Sequence, residues 1–294
     1  MSSAASIDSH QHFWQVANEA DYPWMSPAQH VLYRDYGPRD LAAVLARHGI
    51  EGTILVQASP TDRETDALLV LAESTDFVKG VVGWCEFTEP AAPARIAALA
   101  QSPWVCGLRP MVQDIADDDW LLREDIQPAF EALSEHGLTF DALLHPRHLG
   151  RLARMLARYP ALDVVVDHGA KPAIASGDLR AWREDMAVVA SRPGTMCKLS
   201  GLVTECGDDW SIERLRPVVE HLLHCFGPER LMWGSDWPVL NLAGGYGNWL
   251  EMSQKLTSHL SAADKAAIFG GNAQRFYLDR LRARGQGRLH AHAP

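Results

Sequence analysis

Several familiar signatures are missing from this chain of 294 residues, and each absence removes a class of protein. No run approaches the ~18 consecutive apolar residues that a membrane-spanning helix needs. The N-terminus, MSSAASIDSH, lacks the basic and apolar regions of a secretory leader. The five cysteines (Cys85, Cys106, Cys197, Cys206 and Cys225) are odd in number, scattered and without a CxxC pair. That pattern argues against a disulfide framework and for a reducing compartment, so the expectation is a cytoplasmic protein. No GxGxxG follows the first apolar run, and neither a P-loop nor a GxSxG elbow occurs, so dinucleotide, nucleoside triphosphate and serine-nucleophile chemistries lack their usual signals. Positive charge is in short supply: 27 Lys and Arg stand against 37 Asp and Glu, a formal net charge of −10. An acidic surface disfavours nucleic acid and anionic membranes as partners, although a local Arg or Lys can still prepare a pocket for a small anion. With no internal repeat, linker or low-complexity block, the chain reads as one domain over 1–294, with a flexible basic tail over about 284–294.

Apolar material is present, in short and regular pieces. Hydrophobic residues make up 47% and charged residues 22% of the chain, a globular composition. Eight apolar, β-branched runs recur at 7–12, 53–57, 80–84, 105–109, 139–145, 163–168, 196–200 and 231–235. Helical periodicity fills 39–48, 63–74, 94–100, 125–136, 148–157 and 212–225, with apolar residues at i, i+3 and i+4. Several of these segments stop at Gly49, Gly137 or Gly227-Pro228. Strands alternating with helices predict a parallel sheet covered by helices. Eight strands close a barrel, and ~250 residues is an ordinary size for one. The expected fold is therefore an α/β, distorted (β/α)8 TIM-like barrel, with a doubly wound open sheet as the competing architecture. Its longest loops, 15–36 and 237–261, follow the first and last strands, at the end where barrels build their sites.

Ionisable side chains gather at the C-terminal ends of the strand runs. His10 and His12 close the first and, spaced by two in a strand, point to one face. His145 closes the fifth, His168 the sixth, and Asp236 follows the eighth. A lone histidine at a strand end is most often a cap or core residue, and a lone aspartate before Trp237-Pro238 a turn residue. Five such groups at one barrel mouth are poorly explained that way. His136, His148, His221, His224, His259, His290 and His292 fall on helices or in the tail and read as surface residues. Imidazoles and a carboxylate suit Zn²⁺, which polarises an acyl oxygen or lowers the pKa of bound water to about 7. A remaining histidine can act as general base or orient the water. The same cluster can also work without metal, Asp236 serving as base and the histidines as donors to a carbonyl.

The ordered set, with its surrounding words IDSHQHFW, YPW, GLRP, LLHP, VVDHGAKP, KLSGL and GSDWP, resembles the amidohydrolase superfamily. Within it the match is to the amidohydrolase-related branch that includes sugar-acid lactonases. The resemblance spans Ile7 to Tyr277; HxH alone would be weak evidence, whereas the ordered set is specific. It implies an amidohydrolase-type barrel with His10, His12, His145 and Asp236 as metal ligands. It also implies Asp236 and His168 as catalytic residues, Asp236 activating the water; ligand, base or both stays open for Asp236. Binuclear members bridge two metals with a Lys or Glu on strand four, where this chain has Leu108-Arg109-Pro110. The resemblance thus implies at most one Zn²⁺, and metal-independent relatives leave metal-free catalysis open.

Substrate contacts are expected from Arg109, whose guanidinium suits a carboxylate or sugar hydroxyls, with a structural ion pair as the competing role. Gln57 closes strand two within reach of a hydroxyl. Trp14, Trp24 and Trp84 offer faces for a sugar ring against the plainer reading of core packing, and Lys171 lies three residues beyond His168. Ser200, in KLSG, reads as support for the pocket floor. The expected activity is hydrolysis of a sugar-acid lactone, an L-fucono-type aldonolactone, to the open aldonic acid, within carbohydrate metabolism. The partner is a small-molecule lactone, without nucleic acid or membrane, and a homo-oligomer is left open. The rival enzyme readings are a metal-dependent decarboxylase of the same superfamily and a hydrolase of a muconolactone or pyrone dicarboxylate. The rival outside enzymes is a metal-binding barrel; long loops rich in Trp and Gly favour an enclosed substrate over a metal store.

Overall fold

The computed structural model describes residues 5–17, 22–207 and 210–291, the last six of these by backbone alone. Eight strands pair in chain order, every neighbouring pair parallel: β1 (Ile7–Gln11), β2 (Gly52–Val56), β3 (Val78–Gly83), β4 (Val105–Leu108), β5 (Thr139–Ala142), β6 (Val164–Val166), β7 (Thr195–Leu199) and β8 (Leu231–Trp233). The chain beyond β8 returns to β1. Gln11 and Trp237 form a parallel bridge, the Asp236 N–H donates to the His10 carbonyl at 2.8 Å, and the His12 N–H donates to the Trp237 carbonyl at 2.7 Å. Eight parallel strands joined in this way make the expected (β/α)8 barrel, and the closing bonds run through the backbone of the residues that carry chemistry.

Helices α1 (Pro38–His48), α2 (Asp62–Glu73), α3 (Ala92–Leu99), α4 (Gln127–Glu135), α5 (Leu149–Arg158), α6 (Arg180–Ala190) and α7 (Ile212–Phe226) follow successive strands. Each turns an apolar stripe inward, for example Leu149, Leu152, Met155 and Leu156 on α5. The strands are buried on both faces, which is why β6 is three valines in a row. One apolar layer lies between sheet and helices. A second fills the barrel interior with Ile54, Val56, Val82, Val165, Met196 and Met232, and receives Phe276, Tyr277 and Leu278 from the C-terminal segment. β4 and β5 approach so closely that a Cβ on Gly107 would sit 1.9 Å from Thr139 Oγ1, so only glycine fits there.

β1 departs from strict alternation. Ile7 belongs to the inner apolar layer and His10 faces the interior Lys198, although residues three apart should point to opposite faces. The register of β1 on β2 shifts between Asp8 and Gln11, and this irregularity supplies the change of parity. Asp8 accepts from Tyr246 Oη at 3.0 Å and from the Ser235 N–H at 2.8 Å, tying the turn after β8 to β1.

Several boundaries differ from the sequence expectation. β5, β6 and β8 end three, two and three residues before His145, His168 and Asp236, so these side chains sit on turns rather than on strands. α6 lies outside the expected helical segments, although Trp182, Met186, Val189 and Ala190 form its buried stripe. The segment 237–261 is not all loop: it contains α8 (Tyr246–Leu256), whose start is obscured in sequence by Gly244, Gly245 and Gly247. The last strand is followed by α9 (Ala262–Ala266) and, at the end, α10 (Arg280–Ala291). The stretch expected to be a flexible tail from 284 thus begins inside a helix, with Arg284 donating to the carbonyls of Gly137 and Val105; 292–294 lie outside the described residues, as do 18–21 of the first long loop. No helix among the described residues is long and apolar enough to cross a membrane.

Candidate active site

Four of the five residues expected at the barrel mouth come together. Asp236 Oδ1 lies 3.2 Å from His12 Nε2, 3.7 Å from His10 Nε2 and 3.8 Å from His168 Nε2. His10 Nε2 and His12 Nε2 are 3.1 Å apart. The His12 ring is fixed by its Nδ1–H, which donates to the Val56 carbonyl at 2.7 Å, and His168 Nδ1 is paired with Ser200 Oγ at 2.9 Å. All four residues are buried.

Backbone strain is concentrated here. His168, Gly169, Ala170 and Lys171 form a run of four left-handed residues (φ 54°, 56°, 59° and 51°), and Asp236 is left-handed too (φ 60°). Left-handed non-glycine residues cost of order 1–3 kcal/mol each and persist where the surroundings over-determine them. Both residues expected to be catalytic are thus held in unfavourable conformations.

Beneath the histidines lies a charged floor. Lys198 Nζ, from β7, meets Asp141 Oδ2 at 2.7 Å, Asp167 Oδ1 at 3.0 Å and His10 Nδ1 at 3.1 Å. Tyr277 Oη donates to Asp141 Oδ2 at 2.5 Å, and Arg109 Nη1 donates to Asp167 Oδ2 at 3.3 Å. Lys198, Asp141 and Asp167 have no solvent exposure. None of these three is among the site residues expected from sequence, yet each leaves a signal there: a charge within a largely apolar strand run, alone in TFDALLH and MCKLS and, for Asp167, directly after three valines in DVVVDH. Such a charge is buried only when paired.

Electrostatics divide the roles. Burial pushes the His10 imidazole well below the usual histidine range, and Lys198 pushes the same way. Burial alone would raise the Asp236 carboxyl, but the surrounding His168, His12 and His10 imidazoles outweigh it and hold the group below its ordinary value. Asp236 is therefore ionised and His10 neutral at pH 7. Burial lowers His168 to about 4, with Lys171 and Arg109 acting in the same direction and Asp236 and Asp167 opposing. A lowered histidine stays neutral until the pH falls to its new value. Activity that needs neutral His168 is accordingly expected to stay level below pH ~6.5, where an unperturbed histidine titrates, and to fall only near pH 4. A kcat/KM–pH profile with its acid limb at 6 to 7 would remove His168 from this role.

The other expected residues occupy more varied surroundings. His145 is half-buried, belongs to neither group of ligand atoms lying within 4.8 Å of one another (His10–His12–Asp236 and His10–Asp167–His168), and has its ring centroid 6.3 Å from that of His148. His148, expected at the surface, is instead fully buried, its Nδ1 accepting from the His145 N–H at 3.2 Å. Arg109 is buried in the ion pair with Asp167 and also donates to the Gln57 carbonyl. The Gln57 side chain donates to the Arg109 carbonyl at 2.6 Å, so the two residues brace each other. Trp14 is buried, its indole donating to the carbonyls of Leu32 and Arg34. Trp24 and Trp84 are partly exposed and line a cleft of about 430 Å³ with Glu86, Met111 and Asp114. Lys171 is half-buried.

An eight-stranded parallel barrel with His-x-His at its first strand, a histidine after the sixth and an aspartate after the eighth defines a barrel of amidohydrolase type. The chain belongs to the amidohydrolase family (Amidohydro_2), which matches residues 7–278. It is similar to an L-fucono-1,5-lactonase of Burkholderia ambifaria, 47% identical over 279 residues that cover 93% of this chain and 96% of the relative. A second L-fucono-1,5-lactonase, from Burkholderia multivorans, is 36% identical over 93% of this chain and 96% of its own length. Among solved structures, an amidohydrolase from Burkholderia multivorans with bound zinc superposes with a TM-score of 0.87 at 36% identity, covering 93% of this chain and 99% of that one.

Proposed function

We propose that this protein is a carboxylic ester hydrolase that opens a sugar-acid lactone, of the L-fucono-1,5-lactone kind, to the free aldonic acid. The observation that carries the chemistry is the buried Asp236 carboxyl with three imidazoles within 3.2–3.8 Å of Oδ1. The observation that carries the substrate class is the 47% identity to an L-fucono-1,5-lactonase across nearly the whole length of both chains.

Asp236 takes a proton from water, and the resulting hydroxide attacks the lactone carbonyl carbon. The tetrahedral intermediate collapses by breaking the ring C–O bond, and the departing ring oxygen receives a proton from the Asp236 carboxyl. Water adds across one ester bond and no redox partner is needed. Neutral His168, steadied by Ser200, orients the water or the carbonyl. The cleft lined by Trp24, Trp84, Glu86 and Asp114 supplies apolar faces and acceptors of the kind a sugar ring and its hydroxyls need, and half-buried Lys171 lies three residues beyond His168. Arg109 and Gln57 hold the site floor through each other. The donor types at His10, His12 and Asp236 fit Zn²⁺, which when bound would polarise the carbonyl. His145 stands outside that set. A lactone of this kind, the oxidation product of a sugar at its anomeric carbon, supports a role in carbohydrate metabolism, and five free thiols suit a reducing cytoplasm.

The test is proton release from a panel of aldonolactones, with a pyrone dicarboxylate and an aromatic carboxylate as controls. Turnover confined to one sugar configuration is the expected result. Turnover of the pyrone alone, or CO₂ release from the aromatic acid, would replace this reading by one of its rivals.

A further inference from the structure

We infer that Lys198 fixes the proton of His10 on Nε2, and that this buried lysine thereby sets how strongly the His10–His12–Asp236 cluster binds a divalent metal. A count of hydrogens decides the tautomer. An ammonium has three to donate, and Lys198 Nζ has three acceptors in reach: Asp141 Oδ2 at 2.7 Å, Asp167 Oδ1 at 3.0 Å and His10 Nδ1 at 3.1 Å. With Nδ1 accepting, neutral His10 carries its hydrogen on Nε2. A neutral neighbour is consistent with the same assignment. Neutral His12 donates from Nδ1 to the Val56 carbonyl at 2.7 Å, which leaves on Nε2 a lone pair that faces His10 Nε2 at 3.1 Å and Asp236 Oδ1 at 3.2 Å. A hydrogen on His10 Nε2 turns this contact into a hydrogen bond, whereas its absence leaves two lone pairs opposed beside the Asp236 carboxylate.

Arg109 Nη1 also approaches His10 Nε2, at 3.3 Å, but has Asp167 Oδ2 as an acceptor at the same distance. The result is one directed chain, Lys198 to His10 to His12 to Val56. A metal needs the opposite arrangement, because ligation takes the Nε2 lone pair and moves the hydrogen to Nδ1. There the nearby carboxylate oxygen is Asp167 Oδ1, at 3.5 Å, and the Lys198 ammonium stands closer to it, at 3.0 Å, and competes for it. Metal-bound histidines ordinarily donate their second nitrogen to a carboxylate or carbonyl, and loss of such a partner costs about 10- to 100-fold in affinity. Here a cation stands nearer to Nδ1, at 3.1 Å, than that carboxylate does. Zinc binding must therefore reverse the His10 tautomer against Lys198.

Lys198 acts at the same site as the lactonase reading, but its effect is measured without substrate, so absent turnover and a wrong tautomer are separate failures. Imidazole ¹⁵N spectra of metal-free wild type, with the His10 signal identified by its loss in His10→Gln, are expected to show hydrogen on His10 Nε2 and on His12 Nδ1. Zinc titration should move the His10 hydrogen to Nδ1. In Lys198→Met, or in Asp141→Asn/Lys198→Met if the single variant does not fold, the Nδ1–H form should appear without zinc. Zinc affinity should then rise about 10- to 100-fold, with Asp236→Asn as the control for binding at this site. A wild-type His10 already protonated on Nδ1 overturns the inference, and that spectrum requires no folded variant. So does a folded Lys198 variant whose His10 keeps Nε2–H, or whose zinc affinity is unchanged.

Discussion

Replacing Asp236 by asparagine is expected to lower kcat/KM for the lactone by about 10²–10⁴-fold and to leave the fold in place. The carboxamide has nearly the same shape but no basic oxygen for the proton of water. Asparagine is also one of the few residues that accept a left-handed backbone readily, so the φ of 60° at this position costs no more than before. The backbone bonds that close the barrel, from the Asp236 N–H to the His10 carbonyl and from the His12 N–H to the Trp237 carbonyl, do not involve the replaced group. A urea unfolding midpoint close to wild type, together with lost turnover, would assign Asp236 to the chemistry. Undiminished turnover in a folded variant would transfer the base to another group, and activation of water by Asp236 would be ruled out even if lactone hydrolysis stood.

The parts of this architecture that were legible in the sequence are those fixed by periodicity. Buried parallel strands such as Val164–Val166 announce themselves as unbroken apolar runs, and amphipathic helices such as Leu149–Arg158 by their spacing. The histidines and Asp236 were legible because each stands at the end of such a run. The interior ion pairs were not, because each of their charges looks alone. Asp141 is one carboxylate inside TFDALLH and Lys198 one ammonium inside MCKLS; that they meet at 2.7 Å depends on barrel closure, which places β5 and β7 across a shared interior. Tyr277 is a stronger case, since it reaches Asp141 from 136 residues away. His148 was misplaced for the converse reason. Its neighbours Arg147 and Arg151 are surface residues, and nothing local shows that the next position turns inward against the backbone of His145. The strain at His168 and Asp236 was equally hidden, because a left-handed non-glycine residue leaves no compositional trace.

That strain leads to a second large effect, at a residue without a side chain. Gly201 has φ +60°, and a Cβ built on it would lie 2.5 Å from His168 Nδ1 and 2.7 Å from His168 Cγ. The His168 ring cannot simply swing away, because its backbone is the first of four left-handed residues and its Nδ1 is paired with Ser200 Oγ, on the residue next to Gly201. Gly201→Ala must therefore shift the imidazole, the turn or both. A displacement of about 1 Å in a positioned catalytic group costs about 100-fold, and kcat/KM for the lactone is expected to fall by at least that much. Backbone strain alone accounts for a further ~1–2 kcal/mol of stability. The exposed Gly177 separates the two contributions: it too is left-handed (φ +74°), but an added Cβ meets nothing within 4 Å. Gly177→Ala should lose a similar ~1–2 kcal/mol and keep wild-type turnover. If Gly201→Ala matched Gly177→Ala in both stability and activity, the His168 ring would be free to move, and its fixed orientation could not be part of the mechanism. If Gly201→Ala alone loses turnover, the glycine is present because it leaves room for the imidazole that works beside Asp236.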